Sequence, residues 1–118
     1  FISGVIVASD GSTAIVETAL GVFEGTVTDP SWQLLPGETV TLSIRPESWM
    51  ITTEARGRNV AHGRLGEAIY LGEVAQYQLH VNSLSLKIFE MNPQLANRPA
   101  GRELSAYAMP HDVVILRA

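Results

Sequence analysis

Apolar and polar residues alternate along the stretch 37–47. Val40, Leu42 and Ile44 point one way; Thr39, Thr41, Ser43 and Arg45 point the other. That period of two predicts a half-buried strand, and β-branched Thr, Val and Ile suit a pleated surface. Pro46 has no N–H to give to a ladder, so the strand is expected to end or bend there. The pattern recurs 64 residues on, at 101–110, with its glycine (Gly101) and its proline (Pro110) at the same separation. Leu104, Ala106 and Ala108 take the places of Val40, Leu42 and Ile44. Each proline is followed by two polar residues and an apolar run, Trp49-Met50-Ile51 in one case and Val113-Val114-Ile115 in the other. One β-module used twice is the simplest reading.

The rest of the chain fills in around this pair. Val5–Ala8 and Ala14–Thr18 flank the turn signal Asp10-Gly11 and predict a hairpin. Gly21 ends it, and Val22–Val27 is a third strand. Asp29–Leu35 is a connector with room for one helical turn, Asp29 as its cap and Pro30 first. Glu54–Asn59, charged and carrying Gly57, is the expected boundary between a first module of about 1–53 and a second of about 59–118. Gly63, Gly66 and Gly72 within and after Val60–Leu71 predict a bulged or bent strand. In the next run Ala75, Tyr77, Leu79 and Val81 are expected to face the core. Asn82-Ser83 is expected to turn the chain, and Leu84, Leu86 and Ile88 to face inward beyond it. Residues 92–100, with two prolines, predict a loop. About ten short strands with turn signals between them and no long helix imply an all-β barrel or sandwich. The repeat suits two small barrels, or one barrel-like domain whose halves exchange strands.

Composition narrows the function. At 118 residues the chain is one domain's worth and can bury a core without staples. It has no cysteine, which removes disulfides and thiolate metal sites. A net charge of −4 with aromatics scattered among acidic neighbours argues against a nucleic-acid groove. No apolar run approaches the ~20 residues that span a bilayer. The start, Phe1-Ile2-Ser3-Gly4, has no signal-peptide pattern. It also lacks an initiator Met, so the chain is read as a piece of a longer protein. His62, His80 and His111 are not spaced as metal ligands. No Gly-x-Ser-x-Gly elbow and no paired carboxylates predict catalysis. Arg45 and Glu47 beside Pro46 have two readings, a contact with a neighbouring domain or subunit, or a local ion pair or loop hydrogen bonds that fix the bend. Trp32 and Trp49 are expected to be core or interface plugs.

These residues together resemble a known family. Gly37-Glu38-Thr39-Val40, Leu42, Ile44-Arg45-Pro46-Glu47, then Asn59 and Gly63, then Ile69-Tyr70-Leu71-Gly72 with Tyr77, then Gly101, Leu104, Pro110 and Asp112 are similar to the transport-associated OB (TOBE) domain. That domain sits at the C-terminus of ATP-binding subunits of bacterial ABC importers. The resemblance implies an OB-type (MOP-like) β-barrel with an internal duplication, a non-catalytic regulatory and dimer-contact domain. It implies an upstream nucleotide-binding domain holding ATP and Mg, with no cofactor or metal in this piece. The implied partners are that domain, a second copy of the subunit and transmembrane permease subunits, with no nucleic acid. The implied place is the cytoplasmic face of the bacterial inner membrane, and the imported solute is of the polyamine, iron or sugar class. Arg45, Glu47, Trp49 and Tyr70 are the expected interface residues. The alternative is a sensor of a small ligand or oxyanion, since related molybdate-binding domains share the spacing of Asn59 and Gly63. Those domains carry Lys-Ala where this chain has Met109-Pro110, whose side chains bring no charge and no donor. No Gly-x-x-x-x-Gly-Lys-Ser/Thr phosphate loop is present, so ATP binding by this piece is not expected.

Overall fold

The computed structural model describes residues 1–29, 31–52, 57–91 and 101–118. Its described residues form ten strands and two short 3₁₀ turns. In chain order the strands are β1 (Ile2–Asp10), β2 (Thr13–Thr18), β3 (Gly21–Val27), β4 (Thr39–Ile44), β5 (Trp49–Thr52), β6 (Val60–Leu71), β7 (Val74–Val81), β8 (Leu84–Met91), β9 (Glu103–Ala108) and β10 (Val113–Arg117). The turns, Pro46–Ser48 and Pro110–Asp112, each follow a copy of the repeated strand. The fold is all-β, as the alternation predicts.

The duplication holds to the level of backbone angles. Both key strands open beyond a glycine at positive φ, 90° at Gly37 and 88° at Gly101. Both end on a residue with nearly the same extended geometry, φ −69°, ψ 143° at Arg45 and φ −66°, ψ 144° at Met109. The next residue is proline, whose locked φ and missing N–H suit the first position of a helical turn. In each copy the N–H two residues past the proline donates back across the turn, Ser48 to Arg45 and Asp112 to Met109, both at 2.9 Å. The approach to each key strand is held alike, to β1 in the first copy and to β6 in the second. Gly37 N–H donates to Ile6 (2.8 Å) and Ile6 N–H to Glu38 (2.9 Å), while Gly101 donates to Leu65 (2.7 Å) and Leu65 to Arg102 (2.9 Å).

By contacts the chain divides into two compact units, one of Phe1–Ile44, Arg56–Val60 and Ala108–Ala118, the other of Arg45–Ala55 and Ala61–Tyr107. The first is a closed barrel in the order β1-β2-β3-β10-β4. Closure leaves no unpaired edge. The second is a five-stranded sheet in the order β5-β9-β6-β7-β8. These boundaries differ from the sequence modules of about 1–53 and 59–118. The strand after each proline turn leaves its own half: β5 joins β9, and β10 lies between β3 and β4. Each turn goes with its strand, the first packing on β8 and the second on β3, where Thr26 Oγ1 donates to the Pro110 carbonyl at 3.2 Å.

The core follows the pleat. In the barrel Ile6, Val16, Phe23, Val40, Leu42, Val113 and Ile115 are buried; in the sheet Ala75, Tyr77, Leu79, Val81, Leu86 and Ile88 are. The glycine-rich strand carries the expected bulge, a register shift between Leu65 and Ala68 opposite β7. One expectation fails. Leu84 is 39% exposed at the first rung after the Asn82-Ser83 turn, although its partner on that rung, Val81, is buried. The Asp29 connector makes a single turn at its described residues, with the Asp29 carboxylate accepting from the Ser31 N–H at 2.9 Å and its carbonyl from Trp32 at 3.2 Å. Pro30, Glu54–Arg56 and the loop 92–100 lie outside the described residues.

Tyr77 shows how a polar tip is accommodated in this core. Its ring is fully buried, and its hydroxyl donates to Glu90 Oε1 at 2.9 Å across the β7–β8 pair. Tyr77→Phe keeps the packing and removes that bond. A loss of about 1 kcal/mol is expected, read as a lower urea midpoint with an unchanged slope.

Candidate functional site

Three of the four expected interface residues share one strand–turn–strand. Arg45 and Glu47 flank Pro46, and both are exposed. Among the described residues neither makes an ion pair, so the local-pair reading of their role is not what fixes this bend. The proline and the Ser48-to-Arg45 backbone bond do that. The turn thus presents one cation and one anion on a rigid frame. Trp49 starts β5 two residues past Glu47 and is 5% exposed. Its place is in the core and not on a surface, because the pleat turns the first residue after the turn inward. Tyr70 stands on β6 near the tip of the β6–β7 hairpin and is exposed, with Ile69 and Leu71 exposed beside it.

Asn59 was legible only as part of a motif, yet it is a buried, well-bonded polar residue of the barrel. It is 1% exposed with φ 64°. Its Oδ1 accepts from the Glu24 N–H at 2.7 Å and its Nδ2 donates to the Glu24 carbonyl at 2.9 Å. Its own N–H donates to Val22 at 2.9 Å, and its carbonyl accepts from Ala108 at 3.0 Å. The side-chain amide bonds both backbone groups of Glu24, so Asn59 acts as a rung of the barrel. Gly63, four residues on, is a close-approach position: a Cβ there would lie 2.3 Å from the His80 carbonyl oxygen.

The histidines are placed apart from one another in role. His62 Nδ1 is 2.6 Å from Ser105 Oγ, and His80 Nδ1 is 2.8 Å from Ser85 Oγ. His111 Nε2 is 3.5 Å from Asp112 on the second proline turn. Among the described residues no three His, Asp or Glu side chains converge as a metal site. No helix among them is long and apolar enough to cross a membrane.

The comparisons span both copies of the turn. A model of the TOBE domain matches residues 42–116, from inside the first key strand to inside β10. The chain belongs to the TOBE domain family. Among solved structures, this TOBE chain is similar to the cytoplasmic molybdate-binding protein ModG in a form with molybdate bound. The TM-score is 0.82 at 18% identity, over 99% of this chain and 94% of that one. At that identity the likeness establishes the shared OB-like, MOP-type fold. No curated protein matches the chain.

Proposed function

We propose that this TOBE domain is the non-catalytic regulatory and contact domain of the ATP-binding subunit of an ABC importer. The observation that carries the reading is the family match across both proline turns, one of which displays Arg45 and Glu47 exposed and unpaired on a fixed backbone. A surface of that kind suits docking with a neighbouring domain, a second copy of the subunit or a permease. Rim charges set register and approach more than affinity. Such a subunit would be peripheral to the cytoplasmic face of the membrane, with ATP and Mg held upstream. The test is the coding sequence before Phe1. A phosphate loop and an ABC signature are expected there, and an unrelated domain would remove the reading.

A second reading, a sensor of a small oxyanion, is favoured by the end-to-end likeness to a molybdate-binding protein. Two features here weigh against it. Asn59 is 1% exposed, with its amide bonded to both backbone groups of Glu24. Met109, the residue before the second proline, brings no charge and no side-chain donor to an oxyanion. Isothermal titration with molybdate and sulfate decides between the two. No saturable heat is expected from either anion, and saturable binding of molybdate would promote the sensor.

A further inference from the structure

The first unit carries an open groove of about 640 Å³, a volume usual for small-molecule sites. Its sides come from Ser12 in the β1–β2 turn, Thr28 after β3, and Asp29, Trp32 and Gln33 in the connector. The connector is tied down at several points. Ser9 Oγ donates to the Leu34 carbonyl at 2.9 Å, and Glu38 Oε1 accepts from the Leu35 N–H at 3.3 Å. Trp32 is held from two directions. Its Nε1 donates to Glu38 Oε2 at 3.0 Å, and the Arg117 guanidinium lies 4.6 Å from its ring centroid. The indole is therefore oriented before any ligand arrives, which lowers the entropy cost of binding. Around it, the side chains of Ser12, Thr28 and Gln33 make no hydrogen bond to another described residue.

We propose that this groove binds a small neutral polyol of saccharide size. A fixed aromatic ring offers an apolar plate for the C–H face of a sugar. Hydroxyls and an amide offer neutral donors and acceptors around the rim. The charges choose the class. Asp29 is held below the usual carboxylate range, first by the Ser31 hydroxyl and then by the Ser31 N–H, with a smaller contribution from Arg117. It is therefore ionised at neutral pH and repels an anion. Arg117, outside the groove's lining, lies over one side of the Trp32 ring. It is near enough to Asp29 to offset its charge, so a cation gains no strong attraction. With both signs present and opposed, a neutral ligand meets no repulsion. Gln33 and the Asp29 carboxylate remain to read hydroxyl positions.

The proposal does not depend on the transport reading. A missing phosphate loop upstream of Phe1 would remove that reading and leave this site as it stands. The test is isothermal titration of the 118-residue chain with glucose and with maltose, beside spermidine and molybdate. Saturable heat is expected with at least one sugar, half-saturating on the order of 1 mM. Trp32→Ala should abolish it. Gln33→Ala, an exposed change that leaves the barrel intact, should weaken it about tenfold. The proposal is overturned by no saturable heat with either sugar, or by sugar binding that both variants retain. It is also overturned if spermidine or molybdate gives the saturable heat and Gln33→Ala weakens that instead.

Discussion

Gly63→Ala should destabilise the chain by about 3 kcal/mol or more, near the upper end of what one methyl group does. The added Cβ would sit 2.3 Å from the His80 carbonyl oxygen, 2.9 Å from its carbon and 2.9 Å from Val81 Cγ2. The first two contacts are backbone of β7, so no side-chain rotation relieves them. Relief requires β6 and β7 to part where the Arg64–His80 and Leu65–Leu79 rungs begin. Gly72→Ala is the control. Gly72 sits at φ 71° in the hairpin turn with nothing within 4 Å of its Cβ. Its replacement costs only the strain of that conformation, roughly 1 kcal/mol. Urea unfolding of both variants gives the comparison. If the Gly63→Ala midpoint moves no further than the Gly72→Ala one, the close packing at Gly63 is not a constraint in solution.

The contrast between those two glycines also marks what the sequence could reveal. Turn glycines announce themselves by neighbours such as Asp10-Gly11, because local chemistry sets the turn. Gly63 read as a bulge signal and a motif residue but not as a close contact, since its crowding comes from β7, which follows later in the chain. The alternation of Val40, Leu42, Leu104 and Ala106 showed which side of each strand is buried, and the structure agrees. It could not show in which unit β5 and β10 pair. The two proline turns are near copies, so local sequence gives β10 no preference for β4 over β9. Long-range packing decides that. Trp49 was open between core and interface for a similar reason, because an aromatic after a turn suits either. The Trp32–Arg117 contact joins the connector to the last strand. No spacing in the sequence points to it. Arg45 and Glu47 were legible as exposed charges because a proline between two polar residues fixes both the bend and the exposure.

Asn59→Ala should cost about 3 kcal/mol, by a different route. β3 is bordered on its open side by β10, but the parallel pairing reaches only Thr26 and Val27. Earlier on β3, the polar groups of Val22 and Glu24 on that side are met by Asn59. One residue thus supplies a rung of ladder to the barrel seam, half from its backbone and half from its side-chain amide. Alanine removes the amide. The Glu24 N–H and C=O then lose their partners, at about 1–3 kcal/mol for each group that stays dry. Alanine is also strained at φ 64°, where asparagine is tolerated. Asn59→Gly separates the two effects. It loses the same hydrogen bonds without the strain, so it should be more stable than the alanine variant by roughly 1 kcal/mol. Asn59→Asp should not rescue, because at neutral pH its second oxygen faces the Glu24 carbonyl where a donor is needed. Chemical unfolding of the three variants, with amide exchange at Glu24 as the local probe, orders them. Protection at Glu24 that survives in Asn59→Ala would show that the seam closes without the side chain.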